Sequence, residues 1–448
     1  MLASRNTQNE MIMRFCLLLW GMICLAGCQS PLSTPQPLGT DAIDRVLEQS
    51  TEMMVHDVSN PPLAARFYAY TCLAGYQALT FFKAASPDFT DSLNGYMPYA
   101  GKQVPEADAN LTAIMAMAGV SGKLQPSGNL MNTWLTQFKD SCSDAGFSDK
   151  IIVASQLLAD SLVNHLLQYA RSDGYKQMSA FTRYAPSKKE GKWYPTPPGY
   201  FPAVEPYFAK IRPFTIDSSK LDEFAIPSPA PYDIAKKSEF YQSALAVYEA
   251  DKKGLGRDIA AFWDCNPFAL SDNGHLLIGL KKISPGAHWM GIAGIAARQA
   301  NLDFETSLKL RTVLGICMMD GFWLCWREKY RTDRIRPETA IRKLIDPAWK
   351  PFLQTPPFPE YPSGHSVVSS TAAEVLTKFL GPEFAYTDTV ERRYGIADRK
   401  YSSFQQAAEE ASQSRFAGGI HFKDAIENGQ TLGRAMGKAG LKKLGLSN

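Results

Sequence analysis

Tyr361-Pro362-Ser363-Gly364-His365, followed at once by SVVSSTAAEVLTKFL, reads as the opening of a helix whose first turn faces a ligand. Ser363 is placed to cap that helix, and Gly364 lets a ligand come close to the backbone. The first N–H groups and the positive end of the helix dipole then favour an anion. Upstream stands Lys329-Tyr-Arg-Thr-Asp-Arg-Ile-Arg336-Pro337. Seven residues are close to two turns, so a helix continuing through this stretch would project Lys329 and Arg336 from nearly one face. Pro337 should end or kink it just after Arg336. An ammonium beside a forked guanidinium suits a tetrahedral or trigonal-bipyramidal oxyanion. Downstream comes Ser414-Arg415-Phe-Ala-Gly-Gly-Ile-His421, whose Gly418-Gly419 pair should break a helix and bring His421 round to Arg415. Singly, each piece has an ordinary explanation: a solvated cationic face, a helix start, a structurally satisfied histidine. Their shared property is a concentration of groups that grip an oxyanion.

Around these segments the chain is patterned as helix. Ala64–Phe82 is long and apolar, and 150–171 repeats apolar residues at i, i+3, i+4 and i+7. Helical patterning returns over Ser238–Trp263, 289–301, 304–330, 365–380, 403–414 and 424–443, and no convincing strand alternation appears. Between 172 and 236 the texture changes: ten of the 29 prolines fall from Pro186 to Pro231. Regular helix or sheet is excluded there. The interleaved aromatics (KWYPTPPGYFPAVEPYF) favour an ordered strap over a disordered linker. A weak internal repeat sets Arg66 six residues before Cys72, as Arg311 stands before Cys317; related bundles and chance explain it equally.

The motifs K-x6-RP, PSGH and SR-x5-H, in this order, resemble the signature shared by the vanadium haloperoxidases and the type 2 phosphatidic acid phosphatases. The strap, AAFW at 260–263 and HW at 288–289 are similar to the bacterial haloperoxidase-like branch, extending the resemblance over about residues 60–443. It implies an all-α fold of two helical bundles with the site in the C-terminal one. The expected division is a lipoprotein signal at 1–28, a tether at 29–40, an N-terminal bundle at 41–171, the strap at 172–236 and a C-terminal domain at 237–448. The family roles would have Lys329, Arg336 and Arg415 neutralise three oxygens, with Ser363 and the Gly364 N–H adding hydrogen bonds. His421 would coordinate vanadium or attack phosphorus, and His365 would act opposite it as general acid/base. Trp326 and Phe358 match aromatic positions that line the halide pocket of chloroperoxidase-like members. Many members carry an aspartate four residues after the last histidine; here Ala425 stands there, and Asp424 is the candidate substitute.

Two chemistries fit one pocket, because bound vanadate and a phosphoryl-transfer transition state share trigonal-bipyramidal geometry. As a haloperoxidase, the chain would use vanadate and hydrogen peroxide to oxidise halide, with His365 taking a proton and Lys329 polarising the bound oxidant. As an acid phosphatase it would need no cofactor: His421 would form a phosphoenzyme while His365 protonates the leaving alcohol. A non-catalytic lipoprotein is the third class, and the intact cations and histidines weigh against it.

The charge is near balance, Lys+Arg 47 against Asp+Glu 44 for a net +3, which does not point to nucleic acid or an acidic partner. The apolar run Phe15–Leu25 is too short to span a bilayer but fits a signal-peptide core, with translation starting at Met1, Met11 or Met13. Leu25-Ala26-Gly27-Cys28 resembles a bacterial lipobox, so Cys28 is expected to carry lipid and become the mature N-terminus. Gln29 after it implies an outer-membrane lipoprotein facing periplasm or surface. Cys72, Cys142, Cys265, Cys317 and Cys325 lack zinc-like spacing, which argues against a metal site other than vanadate on His421. His56, His165, His275 and His288 fit no motif and are expected to be structural or surface groups.

Overall fold

The computed structural model describes residues 37–83, 88–187, 189–272 and 276–446. Cys28, the signal stretch, most of the tether and His275 therefore lie outside the described residues. The fold is all-α. The N-terminal half contains α1 (Thr40–His56), α2 (Pro61–Phe82), α3 (Ala109–Leu124), α4 (Gly128–Asp144) and α5 (Asp149–Arg171). After the proline-rich stretch come α6 (Glu239–Lys252), α7 (Arg257–Phe262), α8 (Pro285–Gln299), α9 (Phe304–Thr332), α10 (Pro337–Leu344), α11 (Gly364–Leu380), α12 (Phe404–Ala417) and α13 (Lys423–Lys443). Two antiparallel hairpins, β1 (Leu270–Asp272) with β2 (Leu277–Gly279) and β3 (Tyr386–Asp388) with β4 (Arg399–Tyr401), are too short to leave an alternating pattern in the sequence. The helical stretch expected over Ser238–Trp263 is two helices, because Gly254 and Gly256 turn the chain at φ 64° and 69°.

Helix α9 is the axis of the molecule. On one side it packs against α2 and on the other against α11. Gly315 sits where α9 crosses α2; a Cβ there would lie 3.1 Å from Ala69 Cα and 3.2 Å from its nitrogen. The two arginines of the weak repeat both stand on this pair of helices, and each is buried and holds an acid: Arg66 Nε donates to the buried Asp173 at 2.7 Å, and Arg311 pairs with the half-buried Asp44. Helix α11 is seated by glycines on α13. At Gly433 a Cβ would meet the Val367 carbonyl at 2.3 Å, so only glycine lets the two backbones touch. This contact holds the PSGH segment in place, since Gly429 of α13 approaches the Ser363 carbonyl in the same way.

Residues 172–236 are laid across α9 by hydrogen bonds to its buried polar groups. Phe214 N (2.8 Å), Thr215 N and Thr215 Oγ1 (both 2.6 Å) donate to the Asp320 carboxylate. Trp323 Nε1 donates to the Ile211 carbonyl, and Trp326 Nε1 and Tyr330 Oη donate to that of Val204. Further along, Val204 N donates to Pro357 O, and Trp193 N to Asp333 O. No helix among the described residues is long and apolar enough to cross a membrane.

Candidate active site

Four segments meet at one end of α9 and α11: the 326–336 stretch, the 358–365 loop, the 415–421 turn, and the 263–268 segment after α7. They enclose a narrow cavity walled by Trp326, Phe358, Gly364, His365, Arg415 and His421. Ser363 caps α11 by accepting from Ser366 N at 3.3 Å, and it also accepts from Ser366 Oγ at 2.9 Å. Its own hydroxyl hydrogen is thereby left to donate.

Lys329 and Arg336 do not share a helix face. Helix α9 ends at Thr332, Asp333 turns left-handed at φ 51°, and Arg336 becomes the N-cap of α10 with Pro337 at its first position. Proline there lacks only an N–H that no helix would use. The two cations are gathered instead by the carbonyls of the 358–362 loop. Lys329 Nζ donates to Pro359 O (2.9 Å), Glu360 O (3.0 Å) and Pro362 O (2.6 Å). Arg336 Nε donates to Phe358 O, and its Nη1 donates to Ile420 O, both at 2.9 Å. The Phe358 ring lies between them, its centroid 5.1 Å from Lys329 Nζ and 5.1 Å from Arg336 Cζ. Burial brings Lys329 down to about 7 and Arg336 to about 10, while the three carbonyls favour the ammonium form of the lysine. Arg415 is held by Trp263 O, which accepts from Nη2 at 2.6 Å, and burial lowers its pKa also.

The Gly418-Gly419 pair does end α12, with Gly419 at φ 75°. His421 is brought to Arg336 rather than to a direct bond with Arg415: Arg336 Nη1 lies 3.1 Å from His421 Nε2. The partner of Nδ1 is Glu360, not Asp424. Glu360 Oε1 accepts from His421 Nδ1 at 2.9 Å and from Phe422 N at 3.0 Å. Asp424 stands two steps away: Arg334 Nη1 donates to both its oxygens, at 2.7 and 2.8 Å, and reaches Glu360 Oε2 at 3.3 Å. A hydrogen on Nδ1 facing a carboxylate leaves the lone pair of His421 on Nε2, pointed toward Arg336. Burial, then the charges of Arg336 and Lys329, push the His421 pKa well below the usual range and keep Nε2 unprotonated. Glu360 was absent from the sequence-based set. Its signal was an acid directly ahead of YPSGH in an otherwise uncharged stretch, QTPPFPEYP.

His365 opens onto the cavity, and its Nε2 has no partner. Burial and the nearby Arg415 charge push its pKa well down. Arg336 Nη2 is likewise buried and unpartnered. Arg334 is neutralised by Asp424, so Lys329 and Arg336 share Glu360, while the carboxylate acting on Arg415 is Asp264, itself paired with Lys282. Uncompensated buried cations cost several kcal/mol each, on the order of the penalty for any buried ion. The excess of buried cationic groups over carboxylates, with the unpartnered Arg336 Nη2 and His365 Nε2 beside it, suits an oxyanion, and the residues present therefore fit vanadate.

A family model described as the VCPO second helical-bundle domain matches residues 309–445. The fold superimposes on the crystal structure of a bacterial vanadium-dependent iodoperoxidase with a TM-score of 0.85 and 36% identity, covering 92% of this chain and 98% of that one. The chain belongs to the vanadium haloperoxidase superfamily. A holo-type bacterial vanadium-dependent chloroperoxidase shares the fold, with a TM-score of 0.62 at 15% identity over 93% of this chain and 94% of that one. No curated protein matches the sequence. Of the residues expected to hold the oxyanion, Gly364, Arg415 and His421 line the cavity, and Lys329 and Arg336 are bonded to the loop carbonyls beside it. Of the histidines outside the motifs, His56 is exposed and bonded to its neighbour Asp57, His165 is half-buried and bonded to Met97 O, and His288 is fully buried.

Proposed function

We propose that this enzyme oxidises halide with hydrogen peroxide at a vanadate held in the cavity, with iodide its preferred halide. The observation that carries this reading is the unprotonated Nε2 of His421, held by Glu360 beside three buried cationic side chains that outnumber their carboxylate partners. Iodide is the most easily oxidised of the common halides, and the 36% identical relative is a bacterial iodoperoxidase.

Vanadate supplies a Lewis-acidic centre at which peroxide becomes electrophilic toward halide. Lys329, Arg336 and Arg415 would bind its oxygens, joined by the Ser363 hydroxyl and the Gly364 N–H, while His421 Nε2 would hold the metal. His365 Nε2, unpartnered and neutral in the resting cavity, would take up the proton that peroxide gives up on binding and hold it for return. Trp326 and Phe358, with ring centroids 4.9 Å apart, keep water from the oxidised halogen. The reading is tested by assaying apo-protein with and without vanadate. Iodide-dependent peroxide consumption should require vanadate, and phosphate-ester hydrolysis should be slow without it. Rapid ester turnover by the apo-protein, with no halide oxidation on adding vanadate, would assign the site to a phosphatase. The residues Leu25–Cys28 further support export and lipid attachment at Cys28, which would put this chemistry on a membrane surface facing periplasm or exterior.

A further inference from the structure

At the wall of the cavity, which Cys265 helps to line, three separate segments place a thiol, an imidazole and a carboxylate around one point. Cys265 follows α7, His288 lies in the first turns of α8, and Glu391 lies in the turn after β3. Cys265 Sγ is 3.4 Å from His288 Nδ1 and 3.7 Å from Glu391 Oε1, and the last two atoms are 3.4 Å apart. Zinc bonds of about 2.3 Å to sulfur and about 2.0–2.2 Å to nitrogen and oxygen give tetrahedral ligand–ligand edges of about 3.3–3.6 Å. The observed triangle has nearly that size. We propose that Cys265, His288 and Glu391 form a zinc site, bordering the vanadate pocket through Cys265, that ties these three segments together.

The surroundings are those of a built site. His288 Nε2 lies 2.8 Å from Asp388 Oδ2, so the hydrogen sits on Nε2 and the Nδ1 lone pair faces Cys265 and Glu391. A carboxylate behind a ligating histidine is the usual way to fix its tautomer and raise its basicity. Without a cation that lone pair and the Glu391 oxygen oppose one another, with one thiol hydrogen between them. Cys265 and His288 are 1% and 0% exposed, and Glu391, at 6%, is the least enclosed of the three. Nearby charges do not fill the gap: Lys282 is paired with Asp264, and Arg415 is bonded to Ser414 and Trp263. Sulfur, nitrogen and oxygen together favour zinc over magnesium or calcium, which prefer oxygen alone. The Trp263 ring stacks on His288 at 4.5 Å and 23°, and the Trp263 carbonyl accepts from Arg415, so the ion would steady one wall of the active site.

The competing occupant is a proton, which would make His288 an imidazolium shared between the two carboxylates. The full chain, reduced and stripped with a chelator, is titrated with Zn2+ and separately with Co2+. We expect one Zn2+ bound per chain with proton release, and Co2+ binding with a thiolate-to-cobalt charge-transfer band. Cys265→Ser should abolish the band, and Asp388→Asn should weaken Zn2+ binding about 10–100-fold. The cobalt spectrum of the unaltered chain decides the matter even if the variants fold poorly. No zinc uptake, or cobalt binding without a thiolate band, overturns the proposal, as does full Zn2+ affinity in Cys265→Ser.

Discussion

Replacing Glu360 with glutamine separates the tautomer of His421 from the charge of the pocket. In the native site Oε1 accepts from His421 Nδ1 and Phe422 N, and Oε2 faces Arg334. Glutamine can serve Nδ1 with its oxygen only by turning its NH2 group onto Arg334, donor against donor. Flipped, it offers NH2 to Nδ1 and drives the histidine hydrogen to Nε2, where it blocks coordination. Either way a charge-assisted bond worth about 1.5–3 kcal/mol is lost. The substitution also makes the pocket more positive. That favours any anion by about 2 kcal/mol, for charges one imidazole ring apart at an effective dielectric of about 20. The two effects oppose each other in vanadate affinity alone, but they separate in a ratio. Phosphate, held by charge, should bind Glu360→Gln as well as the native chain or better. Vanadate, held also through Nε2, should lose about 10–100-fold relative to phosphate, the usual effect of removing a ligand's hydrogen-bond partner. Competition calorimetry on apo-protein measures the ratio, with a urea melt to show that the variant is folded. A vanadate-to-phosphate ratio within twofold of the native value would refute the role of Glu360. Asp424→Asn, which acts only through Arg334, should change the ratio less.

Lys329 has its pKa lowered by burial to about 7, and a bound anion needs its charge. Above that pH vanadate binding must take up a proton, so native affinity should fall more steeply with pH than that of Lys329→Met, by up to about tenfold per unit. Comparing the two cancels the anion's own titration, and parallel profiles would count against a lysine titrating there. The same shift makes apo-protein stability rise from pH 7 toward the unfolded lysine's value of about 10.4, because the unfolded chain then holds the extra proton. Chemical denaturation across that window should show a rise that is missing in Lys329→Met. His365→Ala should retain vanadate but lose about 10²–10⁴ in halide oxidation rate, and unchanged turnover would remove it from proton transfer. Arg336→Ala should weaken vanadate binding by about 1.5–3 kcal/mol, and undiminished affinity would mean its free Nη2 does not meet the anion. Cys28→Ala should release the protein from membranes or leave its signal uncut; a native chain already soluble in the periplasm would end the lipoprotein reading.

The helices that carry the motifs were legible because periodicity and punctuation agree. Ser363 caps where its residue type predicts, and the 423–443 helix follows its apolar stripe. The geometry between segments was not legible. Nothing in Lys329–Pro337 announces that Asp333 adopts a left-handed turn, which moves Arg336 off the lysine's helix and onto the next. Seven-residue spacing still found both residues, but for a reason other than a shared face. Glu360 carries no such spacing signal, because the expected partner position of His421 lies forward along the chain, where Asp424 stands. The structure supplies the carboxylate from a loop before α11, and a contact across 61 residues leaves no local period to read. The Cys265, His288 and Glu391 cluster escaped for the same reason: ligand spacing is informative only when ligands share a short loop.

The strap has a consequence for how far the catalytic half can be moved on its own. Asp320, Trp323, Trp326 and Tyr330 all find their partners in residues 204–215, outside the 309–445 stretch that the family model matches. Cutting the chain before α6 would strip a buried carboxylate and three aromatic donors of every one of these bonds. The tryptophan that walls the cavity would lose its anchor with them. The cavity is therefore not portable: a graft or minimal enzyme built from the second bundle must bring the proline-rich crossing with it.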